Sequence, residues 1–384
     1  MTERARSVEQ LLAAKEIVIC CGSGGVGKTS TAAAAGVMSA VALGAKTLVL
    51  TVDPARRLAD ALGVGAFGNV EHQVAPAAFK EAGVEPRGEL WAAMLDTKQS
   101  WDELVLRHAP DRATADRILS NPLYQNVAGR FVQSHEYIAM ERLYEVHASG
   151  RYDLIVVDTP PTRNAADFLK APDRMADFFA SRLLRWLTMP ARSRLLNLAS
   201  RPFYQVADRI LGSQFLEDIA EFFLLFQSMY DGFSERAVAV ERLLHDRRTT
   251  FLVVSTLEAA PLREAESFLA ALTESGYHPG ALVLNKTLPA YLREPRLAGV
   301  AERLAADAPA LAGAAGADVG PAPATTRVLR EVAESFLNFA VVAKREAEQR
   351  AELGSVPDVV VNVPYFDDDI ADLAGLLRLG RAIW

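Results

Sequence analysis

The sequence predicts an α/β fold, with a mostly parallel sheet flanked by helices and an α-helical subdomain inserted into it. Short apolar runs recur along the chain, a helical pattern follows each run, and two long stretches between runs lack any strand pattern. Continuous apolar runs are typical of parallel strands that are covered on both faces. Ligands of such sheets bind at the carboxyl ends of the strands, so polar residues that follow the runs are the site candidates.

Seven apolar runs predict the strands, and a turn rich in Gly, Pro or Asp follows each of them. The runs are Glu16–Cys21, Thr47–Val52, Leu90–Leu95, Leu154–Val157, Phe251–Ser255, Ala281–Leu284 and Val359–Val363. The stretches without strand pattern, about 97–150 and 163–248, carry Leu, Phe, Ala, Arg and Glu at helical spacing. We therefore expect one domain over residues 1–384 with a helical subdomain inserted at these two places. The Ala-rich segment Ala301–Ala324 predicts a short helix and a mobile loop.

Composition excludes several classes of protein. The chain has 384 residues, 41 basic and 48 acidic, and a formal net charge of −7, whereas nucleic-acid binders usually carry a basic excess. No run of apolar residues predicts a transmembrane helix, and the first residues lack the apolar stretch of a signal peptide. The adjacent Cys20 and Cys21 lie in a predicted strand and point to opposite faces, so we expect buried free thiols. These features indicate a cytoplasmic protein with no nucleic-acid partner.

A glycine-rich segment follows the first predicted strand and opens a helical run. Its sequence, GSGGVGKTS over Gly22–Ser30, fits the G-x-x-x-x-G-K-[ST] motif in the strand–loop–helix context that the motif requires. Glycines let backbone N–H groups turn towards phosphate oxygens, and the helix N-terminus adds its dipole. A chance glycine-rich turn is the alternative, but a random match in a chain of this length arises on the order of once in a hundred. The segment therefore predicts a P-loop nucleoside triphosphatase.

The motif assigns individual roles in binding ATP and Mg²⁺. Lys28 is predicted to bridge the β- and γ-phosphates as a catalytic residue, and the Thr29 hydroxyl is predicted to ligate Mg²⁺. The remaining predicted nucleotide contacts are Gly24, Gly25, Val26, Gly27 and Ser30.

Two aspartates follow predicted strands. Asp53 precedes Pro54 and is predicted either to cap a helix or, as a catalytic residue, to orient the water that attacks the γ-phosphate. Asp158 ends the Leu154–Val157 run and is predicted to hold Mg²⁺ through water or through Thr29, although it could instead cap a turn. The phosphate loop favours the metal role for Asp158.

Together these segments resemble the ArsA/guided-entry ATPase family, within the deviant-Walker class that includes MinD. The resemblance rests on Gly22–Thr29, Asp53–Gly63, Asp158–Leu169, Asn285-Lys286 and Val363–Phe366. It implies that Asn285 reads the edge of the adenine, that Pro364 and Tyr365 help to cradle it, and that Glu258 lies near the nucleotide of a dimer mate. It also implies a dimer that closes over ATP and carries a hydrophobic client, such as a tail-anchored membrane protein, or drives a membrane-protein partner.

The sequence departs from the family pattern at two points. The deviant Walker motif carries a lysine after its first glycine, which reaches the opposing subunit, but this chain has Ser23 there. We therefore expect slow hydrolysis by a homodimer, unless Arg56 or Arg57 supplies the charge or a lysine-bearing paralogue completes a heterodimer. Cysteines occur only in the first strand, which argues against arsenite as effector and against a zinc-bridged dimer.

A basic and apolar stretch occurs in the predicted helical insertion. Between Ser181 and Leu216 there are six arginines and one acidic residue, with Trp186, Leu187 and Phe203 among them. Such a stretch predicts a client groove or a membrane-surface helix, or else an ordinary packed helical face. We favour an ArsA-type ATPase. A MinD-like, ATP-switched organiser of a membrane surface is the alternative, and an iron-protein-like enzyme is disfavoured because it needs cysteine ligands.

Overall fold

The computed structural model describes residues 6–52, 57–64, 68–127, 134–160, 222, 224–225, 228–315, 319–354 and 357–384. Its centre is an eight-stranded sheet with the order β3-β4-β2-β5-β1-β6-β7-β8. The strands are β1 (Ile17–Cys21), β2 (Lys46–Thr51), β3 (His72–Gln73), β4 (Glu89–Met94), β5 (Leu154–Asp158), β6 (Thr249–Ser255), β7 (Pro279–Thr287) and β8 (Val359–Pro364). Every described pair of neighbouring strands is parallel except β3 and β4. The predicted α/β fold is therefore confirmed, and each of the seven predicted runs forms a strand. The additional strand, β3, is too short to leave a pattern.

Helices cover both faces of the sheet. The described α-helices are α1 (Val8–Ala13), α2 (Lys28–Met38), α3 (Arg57–Leu62), α4 (Pro76–Glu81), α5 (Thr97–His108), α6 (Arg112–Ser120), α7 (Pro122–Val127), α8 (Ser134–Ala148), α9 (Tyr230–His245), α10 (Ala259–Glu274), α11 (Pro295–Ala315), α12 (Ala322–Glu352) and α13 (Leu373–Ile383). A π-helical turn, Ser39–Leu43, extends α2, and a 3₁₀ turn, Ala290–Arg293, precedes α11.

The alternation of side chains along the strands divides the core in two. One cluster contains Ile17 and Ile19 of β1 and packs against helices α5 to α10, whereas the other contains Val18 and Cys20 and packs against α2 and α13. All residues of β1, β5 and β6 are buried, as expected for central strands covered on both faces. The carboxyl ends of these three strands are therefore held in fixed positions by the packing on both faces.

The helix predicted within Ala301–Ala324 is present, but it is not short, because it belongs to α11, which runs from Pro295 to Ala315. A second long helix, α12, begins at Ala322, and the two helices, of 21 and 31 residues, pack against each other. Alanine is the best helix former, and it keeps the facing surfaces narrow enough for close packing. Pro309 lies inside α11 and does not end it, although proline is a strong signal for a helix end.

The structure describes helices in part of the two predicted insertions. Helices α5 to α8 lie within about 97–150, and α9 lies within about 163–248. Most residues of the second range fall outside the described ranges. Within the described part of the chain, no helix combines the length and the apolar character that crossing a membrane requires.

Candidate nucleotide site

The connection from β1 to α2 forms a tight loop over residues 22–27. Gly22 passes so close to β6 that a Cβ atom would lie 2.1 Å from the Val254 carbonyl oxygen. Gly27 has φ +97°, and a Cβ atom there would lie 2.3 Å from Asn285 Nδ2. Only glycine fits both positions, because left-handed backbone is costly for other residues and neither neighbour leaves room for a side chain.

The first residue of α2 is Lys28, which is buried. Its ammonium group donates a hydrogen bond of 2.8 Å to the Ser23 carbonyl oxygen at the start of the loop. The N-cap of α2 is Gly27, so the first-turn N–H groups receive no side-chain cap from that position. The loop thus presents a positive charge and a helix N-terminus, a combination that binds phosphate.

Asp158 lies at the carboxyl end of β5 and is fully buried. In the register of the sheet it is opposite Cys20 of β1 and Thr51 of β2, and the Thr51 hydroxyl donates to its carboxylate at 2.9 Å. The next residue, Thr159, donates its hydroxyl to the Cys20 carbonyl oxygen at 2.7 Å. The buried carboxylate is therefore held next to the strand that leads into the phosphate loop.

A cavity of about 830 Å³ opens above these strand ends. This volume lies within the range of roughly 300–1,000 Å³ that is usual for ligand pockets. The predicted residues that line it are Gly24, Gly25, Gly27, Lys28, Thr29, Ser30, Asn285, Pro364 and Tyr365. Two further predicted residues, Val26 of the loop and Asp158, are buried and do not line the cavity. Asp53 falls outside the described residues.

The end of β7 contacts the back of the loop. The Asn285 amide donates to the Val26 carbonyl oxygen at 2.8 Å, and the Lys286 ammonium donates to the Gly25 carbonyl oxygen at 3.2 Å. Asn285 is buried, whereas Lys286 is exposed at the cavity. Both side chains therefore contact carbonyl oxygens of the P-loop motif.

Sequence reasoning missed several residues of this site. It quoted Lys286 and Thr159 within family segments but gave neither them nor Thr51 an individual role. It also did not foresee that the Ser23 hydroxyl donates to the Glu264 carboxylate of α10. A polar residue close after an apolar run is the signal that would have pointed to both, since Lys286 follows Ala281–Leu284 and Thr159 follows Leu154–Val157. The partner of Ser23 left no signal, because Glu264 lies on an ordinary exposed helical face.

The two cysteines are buried free thiols, as predicted. Burial raises the pKa of the Cys21 thiol to about 12, and it also raises the pKa of Cys20, which in addition lies near the Asp158 carboxylate. Both thiols are therefore protonated at neutral pH and are poor metal ligands or nucleophiles.

The residues present fit Mg²⁺ and ATP. The phosphate loop contains the glycines and the lysine of the motif. Side chains of β7 hold the Gly25 and Val26 carbonyl groups, so the N–H groups of the loop are available to an anion. Among the described residues, no group of three or more His, Cys, Asp or Glu side chains could hold a metal ion. Mg²⁺ usually takes one or two carboxylates together with phosphate oxygens and water, and the site offers the Thr29 hydroxyl at the cavity and the Asp158 carboxylate at the end of β5.

Comparison with known families identifies the chain. The sequence pattern of the anion-transporting ATPase family, ArsA, matches residues 15–301, which is more than half of the chain. The chain belongs to this family. The resemblance predicted from the P-loop and the segments after the strands is thereby confirmed.

Several relatives within the ArsA family are similar over most of this chain. A protein of Chlorobaculum tepidum that is named as an arsenical pump-driving ATPase is 25% identical over 71% of this chain, and the chain spans only 62% of the length of that relative. The ATPase GET3 of Malassezia globosa is also 25% identical, over 71% of this chain and 72% of its own length. A protein of Aquifex aeolicus that is named as arsenical pump-driving ATPase 2 is 26% identical, over 70% of this chain and 79% of its own length.

Proposed function

We propose that this protein is a Mg²⁺-dependent ATPase that hydrolyses ATP in a nucleotide-gated dimer. Closure of the dimer drives the carriage or targeting of a hydrophobic client, or the work of a membrane-protein partner. The observation that carries the proposal is the cavity that joins the glycine loop, Lys28 and Asn285 at the carboxyl ends of β1 and β7. Membership of the anion-transporting ATPase family supports the same chemistry.

The proposed mechanism uses the chain's residues to bind charge and orient the reactants. The Lys28 ammonium group exchanges its hydrogen bond to the Ser23 carbonyl oxygen for contacts with the β- and γ-phosphate oxygens. Because this ammonium group is already buried in the loop, binding ATP changes its partner and adds little cost of removing it from water. Thr29 would ligate Mg²⁺ and Asp158 would hold the ion through water or through Thr29, and the bound ion would neutralise charge on the phosphate oxygens. Asp53 orients the water that attacks the γ-phosphorus, and the products are ADP, inorganic phosphate and a proton.

The dimer and the client are proposed from relatives and from sequence. One relative carries the name GET3, for guided entry of tail-anchored proteins, and its similarity to this chain extends over 71% of the chain. The Arg-rich and apolar stretch Ser181–Leu216, which lies outside the described residues, is the candidate client surface. A tail-anchored segment is a single apolar helix of about 20 residues, so it suits an amphipathic groove.

The ATPase part is tested by phosphate release from ATP with Mg²⁺ and with excess EDTA, alongside light scattering of the protein with ATP and with ADP. We expect turnover only with Mg²⁺. We also expect the Asp53→Asn protein to have a twofold larger mass in ATP than in ADP. Phosphate release that is unaffected by EDTA would contradict the metal role. A mass that does not respond to nucleotide would contradict the gated dimer.

The client part is tested by substituting three apolar residues of the candidate surface with serine. The residues are Trp186, Leu187 and Phe203. We expect basal ATP hydrolysis to be retained and binding of a protein with one C-terminal apolar helix to be lost. A matched control replaces three exposed apolar residues of α12, namely Val328, Val332 and Phe339. A large fall in melting temperature in the first variant alone would mean that its residues are core, and retained binding would refute the client surface.

A further inference from the structure

The last residues of β7 have an unusual backbone. The pairing of β7 with β8 shifts register between Leu284 and Thr287. Within the described part of the chain, Lys286 is the one residue with a side chain that has positive φ, at +59°. Successive side chains of a regular strand point to opposite faces, but this irregularity lets Asn285 and Lys286 both reach the phosphate loop.

The two side chains contact consecutive carbonyl groups of the loop. Asn285 Nδ2 lies 2.8 Å from the Val26 oxygen, and Lys286 Nζ lies 3.2 Å from the Gly25 oxygen. In a trans peptide the C=O and the N–H of the same unit point in opposite directions. Holding these oxygens on the β7 side therefore turns the N–H groups of Val26 and Gly27 away from β7. Such N–H groups are the donors with which a glycine-rich loop binds phosphate.

We propose that Lys286 is a positioning residue of the phosphate loop, whose ammonium group fixes the Gly25 peptide so that the loop N–H groups face the phosphates of ATP. This rests on the proposed function, because it assigns a role within the same site. Lys286 acts through the loop and touches neither the γ-phosphorus nor the attacking water. Asn285 holds the following peptide in the same way, and its side-chain oxygen Oδ1 accepts a hydrogen bond from the Lys286 backbone N–H at 2.9 Å.

The left-handed backbone conformation of Lys286 indicates that its side chain has a function, because a residue without a side chain would fit this position better. Left-handed backbone is strained for a residue with a Cβ atom, and such strain persists where the surrounding structure imposes it, often at functional sites. Glycine would adopt this conformation without strain. The ammonium-to-carbonyl contact is what a lysine offers and glycine lacks.

Three substitutions separate the ammonium group from the backbone strain. Lys286→Met keeps a long stem and removes the charge, Lys286→Gly removes the strain and the side chain together, and Lys286→Arg keeps a charged donor. Lys344→Met on α12 is the matched control, because that lysine is exposed and lies on a different element. Each variant is titrated with Mg²⁺-ATP by calorimetry, and hydrogen exchange is followed in the peptide that covers residues 22–29. The melting temperature is measured in parallel.

We expect Lys286→Met to weaken ATP binding about tenfold, as for loss of a hydrogen bond to a charged group, and to reduce the protection that ATP confers on residues 22–29. We expect Lys286→Arg to recover most of both effects, and Lys286→Gly to bind ATP as weakly as Lys286→Met without a lower melting temperature. Wild-type affinity and protection in the Met and Gly variants would overturn the assignment. So would weak binding in all three variants in proportion to a loss of melting temperature. Failure of the wild-type protein to bind ATP would refute the proposed function and this role with it.

Discussion

Replacing Gly27 with alanine should damage the phosphate loop more than the same change at Gly25. Both glycines have left-handed backbone, with φ +97° and +80°. A Cβ atom at position 27 would lie 2.3 Å from Asn285 Nδ2, whereas a Cβ atom at position 25 has no atom within 4 Å. The two substitutions therefore share the backbone strain and differ in the steric contact with Asn285.

The expected magnitudes follow from these contacts. Left-handed backbone costs an alanine roughly 1–2 kcal/mol, so both variants should lose about that much stability. In Gly27→Ala the Asn285 side chain must also move, which breaks its buried hydrogen bond to Val26 and costs about 0.5–1.5 kcal/mol more. We expect a lower melting temperature for Gly27→Ala than for Gly25→Ala.

A double variant isolates the contact. In Gly27→Ala/Asn285→Ala the steric overlap is gone, so its destabilisation should be smaller than the sum of the two single effects, a coupling typical of residues in contact. Thermal unfolding of the four variants measures this coupling. Equal melting temperatures for Gly27→Ala and Gly25→Ala, together with additive behaviour in the double variant, would refute the claim that Asn285 packs against the loop.

The remaining predictions concern turnover. Ser23→Lys should raise the turnover of a homodimer by up to about 10³-fold, by analogy with arginine fingers that contribute about 10³–10⁵. The new lysine should also form an ion pair with Glu264 of its own subunit, which competes with its contact to the opposing nucleotide. A surface ion pair contributes about 0.2–1 kcal/mol, so adding Glu264→Gln should raise turnover by at most about fivefold more. Fast wild-type turnover that neither change affects would refute the need for this lysine and with it the heterodimer. Asp53→Asn should bind Mg²⁺-ATP normally and lose roughly 10²–10⁴ in turnover, the range for a positioned proton acceptor, and a loss below tenfold would leave Asp53 as a helix cap.

Much of the sheet and of the phosphate loop could be predicted because their signals are local. A buried parallel strand is a continuous apolar run, and the loop between β1 and α2 needs glycine at fixed positions. Pro364 and Tyr365 were predicted from a family resemblance, and they line the same cavity as the loop. Strand ends in a parallel sheet meet at one edge, so these separate segments converge.

What the sequence did not predict depends on contacts between distant segments. Lys286 reaches Gly25 across more than 250 residues through an irregular strand end, and Glu264 meets Ser23 from the face of α10. Neither contact follows from periodicity or composition. The long α11 and α12 pair was also missed, because proline and glycine signals outweighed the helix propensity of an alanine-rich segment.

Calorimetric titration of the Lys28→Ala protein with Mg²⁺-ATP tests the central claim most directly. Lys28 is buried at the start of α2, its ammonium group donates to the Ser23 carbonyl oxygen, and in the proposed mechanism this charge binds the β- and γ-phosphates. We expect the wild-type protein and the surface control Lys344→Ala to bind Mg²⁺-ATP, and Lys28→Ala to lose at least about 100-fold in affinity, the loss of a strong charged contact. Wild-type affinity in folded Lys28→Ala protein would contradict the assignment of residues 22–29 as the phosphate-binding loop.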